Sequence, residues 1–599
     1  MTARRSGSAS PPGSVPPATR RAFIAIALAF SVVLIVLCEL TLRVIRYGPD
    51  LSLFSTQTIN GKTYHLMNPA VKGRYFTQVK FNPATSRDLF TVPKEPGVFR
   101  IFCLGGSTTV GYPYYFNGAF SSYLRTRLRT LFPSRSVEVI NIGMTATNSF
   151  TTLDMARECL EYQPDLLIVY DGHNEFYGAL GVASHEVPGG SRWLTNLYLR
   201  MVHWKTFLML RDVVSLVSHL FGHASDEELS GTMMERLAYG TTIPYGSPTY
   251  VRGLSAFEGN LRDLRTLCMS AGVPLILTSQ VSNLRDTPPF ISGDPPGATP
   301  AERTAFSQLL NTGITLQLEG AFDSALAVFH HALQHDSLRA ETWYRIAQCL
   351  ETLRDFAGAR SAYIRARDYD QLRFRTSSDF NLAIRQTADG HNVIFVDAEQ
   401  IFMEHSPDSL IGNTLLFEHL HPRAKGYFLL ARGFAEAMRR HALFAPPADW
   451  ATADTLDEEQ LWDNRVVTDL DEIVARRRTE ILTSGWPFQP NARQIRPVSP
   501  DDTLGNLAER FIYGNISWEQ AHVAAAELYH TRHDDADAAR EYRTLSDQDP
   551  LTVFGYLRTR ATRPERPPPS EGDAGLECLH CPGGNVCGGG FGLVLVVRR

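Results

Sequence analysis

The sequence predicts an α/β protein: a parallel five-stranded sheet with helices on both faces, an apolar helix ahead of it and α-helical hairpins inserted in it. Three observations predict this. Five short, nearly continuous apolar runs alternate with helical stretches, the pattern of strands buried on both faces. An uncharged run of 17 residues, Ala22 to Cys38, lies near the N-terminus. Small and aromatic residues between 306 and 373 recur at an interval of 34.

The chain has 599 residues, enough for more than one domain. Its hydrophobic content of 44% and charged content of 20% are ordinary for a globular protein. The net charge of −5, with no basic block beyond the N-terminus, argues against nucleic-acid binding. Eight cysteines are scattered without the spacing of a disulfide framework. Cys103, Cys159, Cys268 and Cys349 sit in apolar or helical contexts and read as buried thiols.

In chain order, residues 1–21 are rich in Ser, Pro and Arg and are expected to be disordered. Residues 22–42 form the apolar run, with Glu39 near one end; a helix of this length spans about 30 Å, the thickness of a hydrocarbon core. No small-x-small cleavage pattern follows it, and Leu37 is too large to precede a lipidated Cys38, so an uncleaved anchor is expected. Arg4, Arg5, Arg20 and Arg21 precede the run and predict a single-pass protein of the cytoplasmic membrane. Its N-terminus would lie in the cytoplasm and the bulk of the chain on the outer face; Arg43 and Arg46 weigh against that orientation. Residues 43–94 read as a connector.

The five strands are expected at Phe99–Leu104, Val137–Ile142, Leu166–Tyr170, Pro274–Thr278 and Val393–Val396, with helices such as Phe120–Leu131 and Leu153–Leu160 between them. Sites in such sheets form at the carboxyl ends of strands. Ser107 follows the first run on a turn made by Gly105 and Gly106, Gly143 follows the second, and Asn174 follows the third in Asp-Gly-His-Asn-Glu. Far downstream, Glu418 stands three residues before His421. An acid at that spacing can brace one imidazole nitrogen while the other takes a serine proton. The backbone N–H groups of Ser107 and Gly143 and the Asn174 amide can serve as oxyanion donors. Each residue also has a plain structural reading. Gly143 can be a turn glycine, Asn174 an Asx turn, Glu418 a cap for a helix near Pro422, and His421 a loop histidine. Cys103 reads as core, His173 and Glu175 as rim residues, and His419 as a competing base that breaks the three-residue spacing.

The blocks Gly-Gly-Ser107, Asn-Ile-Gly143, Gly-His-Asn174 and Glu418-x-x-His421 resemble, in order, the four signature blocks of the SGNH (GDSL-type) hydrolases. The resemblance covers roughly residues 95 to 440 less one insertion. It implies a three-layer flavodoxin-like fold and serine esterase, lipase, deacetylase or acyltransferase chemistry. Two departures stand out: Gly-Gly-Ser-Thr in place of Gly-Asp-Ser, and Glu418 where the family usually has Asp. The hydrolase domain is expected in two parts, 95–305 and 374–445, with the insertion at 306–373. The stretch Trp193 to Phe221 is helical and apolar but carries Arg200, Lys205, Arg211 and Asp212, too many charges for a second span. A lid, a face resting on the membrane and plain helical packing all stay open for it.

In the insertion, Gly313, Ala325, Phe329 and Ala332 recur as Ala347, Ala359, Tyr363 and Ala366, and Trp343 opens the second unit. The pattern resembles tetratricopeptide repeats, which hold peptides or proteins in a groove. A protein partner and simple packing are both open, since fewer than three repeats seldom stand alone. Residues 446–504 are polar and read as a connector. In 505–562, Ala526, Tyr529, Ala538, Tyr542 and Pro550 echo the repeat. Residues 563–599 turn Pro-rich and then Gly-rich. Cys578, His580, Cys581 and Cys587 there suggest zinc less than a disordered or out-of-frame tail.

The expectation is therefore a membrane-anchored serine hydrolase acting on acyl or acetyl esters of a glycan or lipid, with no cofactor and no metal. Ser107, His421 and Glu418 would be catalytic, and Ser107, Gly143 and Asn174 would form the oxyanion hole. An O-acetyltransferase using the same serine, and an interaction protein with a weakly active hydrolase scaffold, are the competing readings.

Overall fold

The computed structural model describes residues 17–548 apart from 60, 77–81, 185–190, 221–233, 235–237, 239–240, 295–296 and 454–455. The Arg4–Arg5 pair, Pro550 and the Cys- and Gly-rich C-terminal tail lie outside the described residues. The chain forms two units, Met1–Leu51 with Trp193–Glu228, and Ser52–Arg192 with Leu229–Arg599.

The first unit carries the helix Pro17–Val44, of which Arg20–Val44 is long and apolar enough to cross a membrane. The helix begins four residues before Arg21, so residues 17–21 are helical rather than disordered. Pro17 at the first helical position has no N–H to lose, and the apolar run behind it propagates the helix backwards. The helices Arg192–Met201 and Lys205–Leu220 follow in this unit, within the stretch expected to be helical.

The second unit opens on an antiparallel sheet of β1 (Phe54–Ile59), β2 (Lys62–Met67) and β3 (Leu89–Thr91). Its segment, 43–94, reads as a connector because the strands are short and their alternation is half polar. Phe54 and Phe90 nevertheless pack edge to face with ring centroids 5.0 Å apart, and Phe90 packs on Phe102 of the main sheet at 5.3 Å. The main sheet holds β4 (Phe99–Gly105), β5 (Val137–Gly143), β6 (Leu166–Tyr170), β7 (Leu275–Thr278) and β8 (Val393–Val396), all parallel, in the order β5-β4-β6-β7-β8. Every residue of β6 is buried, as a central strand covered on both faces requires. Helices Phe120–Leu131 and Ala424–Arg440 pack together in the large core, joined by Phe120 and Phe434 with ring centroids 5.0 Å apart. Helices Ser149–Cys159, Pro248–Ala271 and Ser378–Thr387 form a second packed group, where Phe257 meets Phe380 at 5.1 Å.

Between β7 and β8 stand two helix–turn–helix pairs, Pro300–Leu318 with Phe322–His335 and Ala340–Thr352 with Phe356–Tyr369. Gly313, Ala325, Phe329, Ala332, Ala347, Ala359, Tyr363 and Ala366 are all buried here. A Cβ on Gly313 would run into the Phe329 ring, so glycine there sets how closely the first pair packs. The segment 446–504, expected as a connector, contains the helices Pro447–Ala453, Glu458–Asp463 and Asp469–Thr483. Leu470 and Val474 are buried with Leu507, Ala521, Ala525 and Tyr529 of the C-terminal helices Thr503–Ile512 and Trp518–Thr531. These few apolar residues among many charges escaped the periodicity reading because each helix buries only a narrow stripe.

Candidate active site

The strand order brings the ends of β5 and β6 to either side of β4. In register, Gly105 pairs with Gly143 on one side and Tyr170 on the other, so three strands stop at one level. Gly105 has a φ of +150°, and a Cβ there would overlap the Tyr170 carbonyl. Only glycine lets the chain end the strand and start the short helix Ser107–Val110 within two residues. Thr109 seals the turn by donating its hydroxyl to the Tyr170 carbonyl (3.0 Å). Ser107 is left partly exposed beyond the strand end.

His421 reaches Ser107 from the loop before helix Ala424–Arg440. The Phe417 N–H donates to the His421 carbonyl (2.9 Å), which folds residues 417–421 into a closed turn. The Ser107 hydroxyl lies 2.7 Å from His421 Nε2. Glu418 Oε1 accepts the His421 backbone N–H (3.0 Å) and faces the ring's Nδ1. With Nδ1–H donating to the carboxylate, Nε2 is the basic nitrogen, aimed at the serine. The Tyr112 ring lies over the imidazole, with centroids 4.6 Å apart. Burial pulls the His421 pKa down to about 3, so the ring is neutral at rest.

His419 is not placed on Ser107. Its Nδ1 faces the other oxygen of Glu418, and its ring packs against Phe290, Phe374 and Phe488. The carboxylate thus sits between two imidazoles, a role for His419 that spacing from the acid alone did not reveal. Burial, reinforced by repulsion from His421, holds its pKa well below the usual range, so the ring is neutral, and its Nδ1 makes no hydrogen bond to the carboxylate. The ligating atoms of Glu418, His419 and His421 lie within 4.8 Å of one another and form a candidate metal-ligand set. An ion there would compete with both Nδ1–carboxylate contacts.

The oxyanion donors need one correction. The Gly143 N–H donates to Asn141 Oδ1 (2.8 Å) and is not available to a substrate. Asn141 is itself held by Thr109 and Ser121, donating to the Thr109 carbonyl at 2.6 Å and bonding Ser121 Oγ at 3.1 Å. An Asn two residues ahead of a glycine is a local side-chain-to-backbone motif, and that signal was present in Asn-Ile-Gly143. The Asn174 amide nitrogen stands close to Gly106, 3.3 Å from where a Cβ would be. Beyond Gly143 the chain turns at Ala146, whose φ of +60° is uncommon for a residue with a Cβ.

A small space of about 10 Å³ lies beside Ser107, lined by Gly106, Tyr170, Asp171, Gly172, His173, Asn174 and Gln280. His173 is buried; the Thr376 N–H donates to its Nδ1 (3.2 Å), so Nε2 carries its proton. Burial and the neighbouring His421 lower its pKa to about 3. Asp171 accepts a hydrogen bond from Thr152 (2.5 Å), and Glu175 accepts the N–H (2.8 Å) and hydroxyl (2.7 Å) of Ser149. Burial raises both carboxyl groups, and Asp171 raises Glu175 further. The pair therefore carries less than its full negative charge near neutrality.

No protein-family model matches the chain, and no curated protein matches it. Among solved structures it is similar to Axe2, an acetylxylan esterase from Geobacillus stearothermophilus, with 13% identity and a TM-score of 0.26, over 57% of this chain and 94% of that one. It is also similar to a protein of Bacteroides fragilis NCTC 9343 provisionally described as an acylhydrolase, with 13% identity and a TM-score of 0.21, over 57% of this chain and 88% of that one.

Proposed function

We propose that the chain is an SGNH-type serine esterase, anchored in a membrane, that removes short acyl groups such as acetyl from a glycan or lipid. The observation that carries this reading is the Ser107–His421–Glu418 line, with serine to Nε2 at 2.7 Å and the carboxylate on Nδ1. Ser107 Oγ attacks the acyl carbonyl while His421 Nε2 takes its proton. The bond to the alcohol then breaks, and His421 returns the proton to the leaving oxygen. Water, deprotonated by the same nitrogen, attacks the acyl-serine; the acyl–Oγ bond breaks, His421 returns the proton to Ser107 Oγ, and the acid is freed. Glu418 stays ionised and stabilises the imidazolium. The Ser107 N–H and the Asn174 amide stabilise the oxyanion. The N–H of Ala146 is our candidate for the place that Gly143 cannot take.

The small space beside Ser107 favours an acyl group of one or two carbons, because its walls include the buried Tyr170 and His173. The anchor reading draws on the exposure of the N-terminal helix: Phe23 is 71% and Phe30 68% exposed, unlike a helix in a protein core. We place its N-terminus on the cytoplasmic side and the catalytic unit outside. A panel of p-nitrophenyl esters run beside a fluorophosphonate probe tests the activity. The expected result is probe labelling, with kcat/KM for acetate at least about tenfold above that for octanoate, since acyl carbons beyond the space lose their contacts. Folded protein that neither labels nor turns over any ester would overturn the reading.

The pH profile offers an independent check. A base works only when unprotonated, so its activity is lost as pH falls through its pKa. With His421 held well below the usual histidine range, kcat/KM is expected to stay near its plateau from pH 8 down to about pH 5. An acid limb centred near pH 6.5 or above would contradict it.

A further inference from the structure

The unit formed by Met1–Leu51 and Trp193–Glu228 carries an apolar surface that the chemistry above does not use. Where the helix Arg20–Val44 changes from apolar to charged, Glu39 binds the start of helix Lys205–Leu220. Its Oε2 accepts the Thr206 N–H (2.8 Å) and hydroxyl (2.9 Å), and its Oε1 accepts the Lys205 N–H (3.1 Å). Arg43 completes the joint, donating to Glu39 Oε1 (2.7 Å) and to the His203 carbonyl (3.2 Å). The two helices are therefore tied at one depth. Leu37, two residues before Glu39 and about 3 Å along the axis, is 55% exposed and apolar.

From that joint an apolar stripe runs along the second helix. Thr206, Leu210, Val213, Val214 and Val217 follow the i, i+4, i+7, i+8, i+11 spacing of a single helical face. Leu210 is 55%, Val213 49%, Val214 60% and Val217 44% exposed. The face that receives Glu39 at its first turn is the face that continues as bare aliphatic surface. The preceding helix repeats the arrangement with Trp193, Leu197 and Met201 at i, i+4 and i+8, and Trp204 follows in the turn; the two tryptophans are 68% and 50% exposed. In water these side chains leave roughly half of their apolar surface unburied.

We propose that Arg192–Met201 and Lys205–Leu220 lie in the headgroup layer of the bilayer that Arg20–Val44 crosses, an inference that rests on the anchor reading. Three features select lipid as the occupant. The stripe is tied to a helix whose own apolar side chains are exposed, so the two surfaces share one solvent. Tryptophans at the start of the first helix and in the turn, with Arg200, Lys205 and Arg211 nearby in sequence and Arg43 bonded to the His203 carbonyl, match the belt of aromatic and basic residues at a headgroup boundary. Finally, Lys205–Leu220 has 16 residues, about 24 Å, with Arg211 and Asp212 in its middle, so it is too short and too polar to span. Asp212 accepts a hydrogen bond from the Tyr47 hydroxyl (2.9 Å), which ties this helix to the chain just past the anchor.

The test uses the full chain in phosphatidylcholine–phosphatidylglycerol vesicles whose acyl chains carry bromine at carbons 6 and 7, read on protein that floats with the vesicles. Trp193 and Trp204 account for two of the seven tryptophans. The fluorescence difference between wild type and Trp193→Phe/Trp204→Phe is expected to be quenched at least about twofold, with the other five tryptophans unquenched. Each single variant should remove part of the quenching, which keeps the result readable if the double variant folds poorly. Equal fractional quenching of wild type and double variant in floated protein overturns the surface but leaves the anchor standing. Unquenched tryptophans together with a stable dimer assign the face to a second copy and overturn the proposal as well. Protein that does not float after a high-salt wash overturns anchor and surface together.

Discussion

Replacing Ser107 by alanine is expected to lower kcat for ester hydrolysis by at least about 10⁴-fold and to abolish fluorophosphonate labelling, with the folded state nearly unchanged. The size of the loss follows from covalent chemistry. Without the hydroxyl no acyl-enzyme forms, and what remains is binding and oxyanion stabilisation. The small structural cost follows from the contacts. The side chain bonds His421 Nε2 and is partly exposed, so its removal costs about 1 kcal/mol. The turn that carries it is built by Gly105 and by the Thr109–Tyr170 hydrogen bond, which the substitution leaves intact. Labelling that persists at wild-type rate in Ser107→Ala would place the nucleophile elsewhere. A melting temperature lowered by more than about 5 °C would mean that lost activity cannot be read as lost chemistry.

The second large effect is expected at His421 and its acid. His421→Ala removes the proton acceptor and should cost about as much in kcat as Ser107→Ala, because the two act as one unit. Glu418→Gln should cost about 10²- to 10⁴-fold. An amide offers one oxygen where the carboxylate offers two. In the structure one accepts from the Nδ1 and N–H of His421, and the other only faces the Nδ1 of His419, without a hydrogen bond. The amide nitrogen would face an N–H and favour the wrong imidazole tautomer. Glu418→Asp is the informative change. An acid shorter by one methylene can keep His421 or His419, not both, so activity should survive at a reduced level, above that of Glu418→Gln. His419→Ala removes a ring that faces the carboxylate without a hydrogen bond and should cost less than Glu418→Gln. Rates for the four variants, measured with p-nitrophenyl acetate, fix the order. If His419→Ala falls as far as His421→Ala, the assignment of base and bystander is wrong.

The sheet was legible in the chain because a parallel strand covered on both faces is nearly all apolar. All five runs recur as strands, Leu166–Tyr170 and Val393–Val396 with the expected ends and the other three within one residue of them. The inserted hairpins were legible for a related reason: helices that approach closely need small residues at fixed intervals, and Gly313, Ala325 and Ala359 stand where that need falls. Segments 43–94 and 446–504 were not legible, because each buries a few aromatic or aliphatic side chains among many polar ones, and their partners lie far along the sequence. Five candidate site residues could be named from type and order, Ser107, Gly143 and Asn174 also from position after a strand. The chain alone could not say which hydrogen bonds they make. Gly143 follows its strand as expected, yet its N–H belongs to Asn141, a competition decided only when both side chain and backbone have been placed. In the sequence, only the three-residue spacing from Glu418 favours His421 over His419. Their roles separate because the turn closed at residues 417–421 aims one imidazole at Ser107 and packs the other among Phe290, Phe374 and Phe488. Residue type and spacing determine what chemistry a chain can offer. Which nitrogen meets which oxygen depends on angles and on distances of a few tenths of an ångström, and those are set by packing between elements hundreds of residues apart.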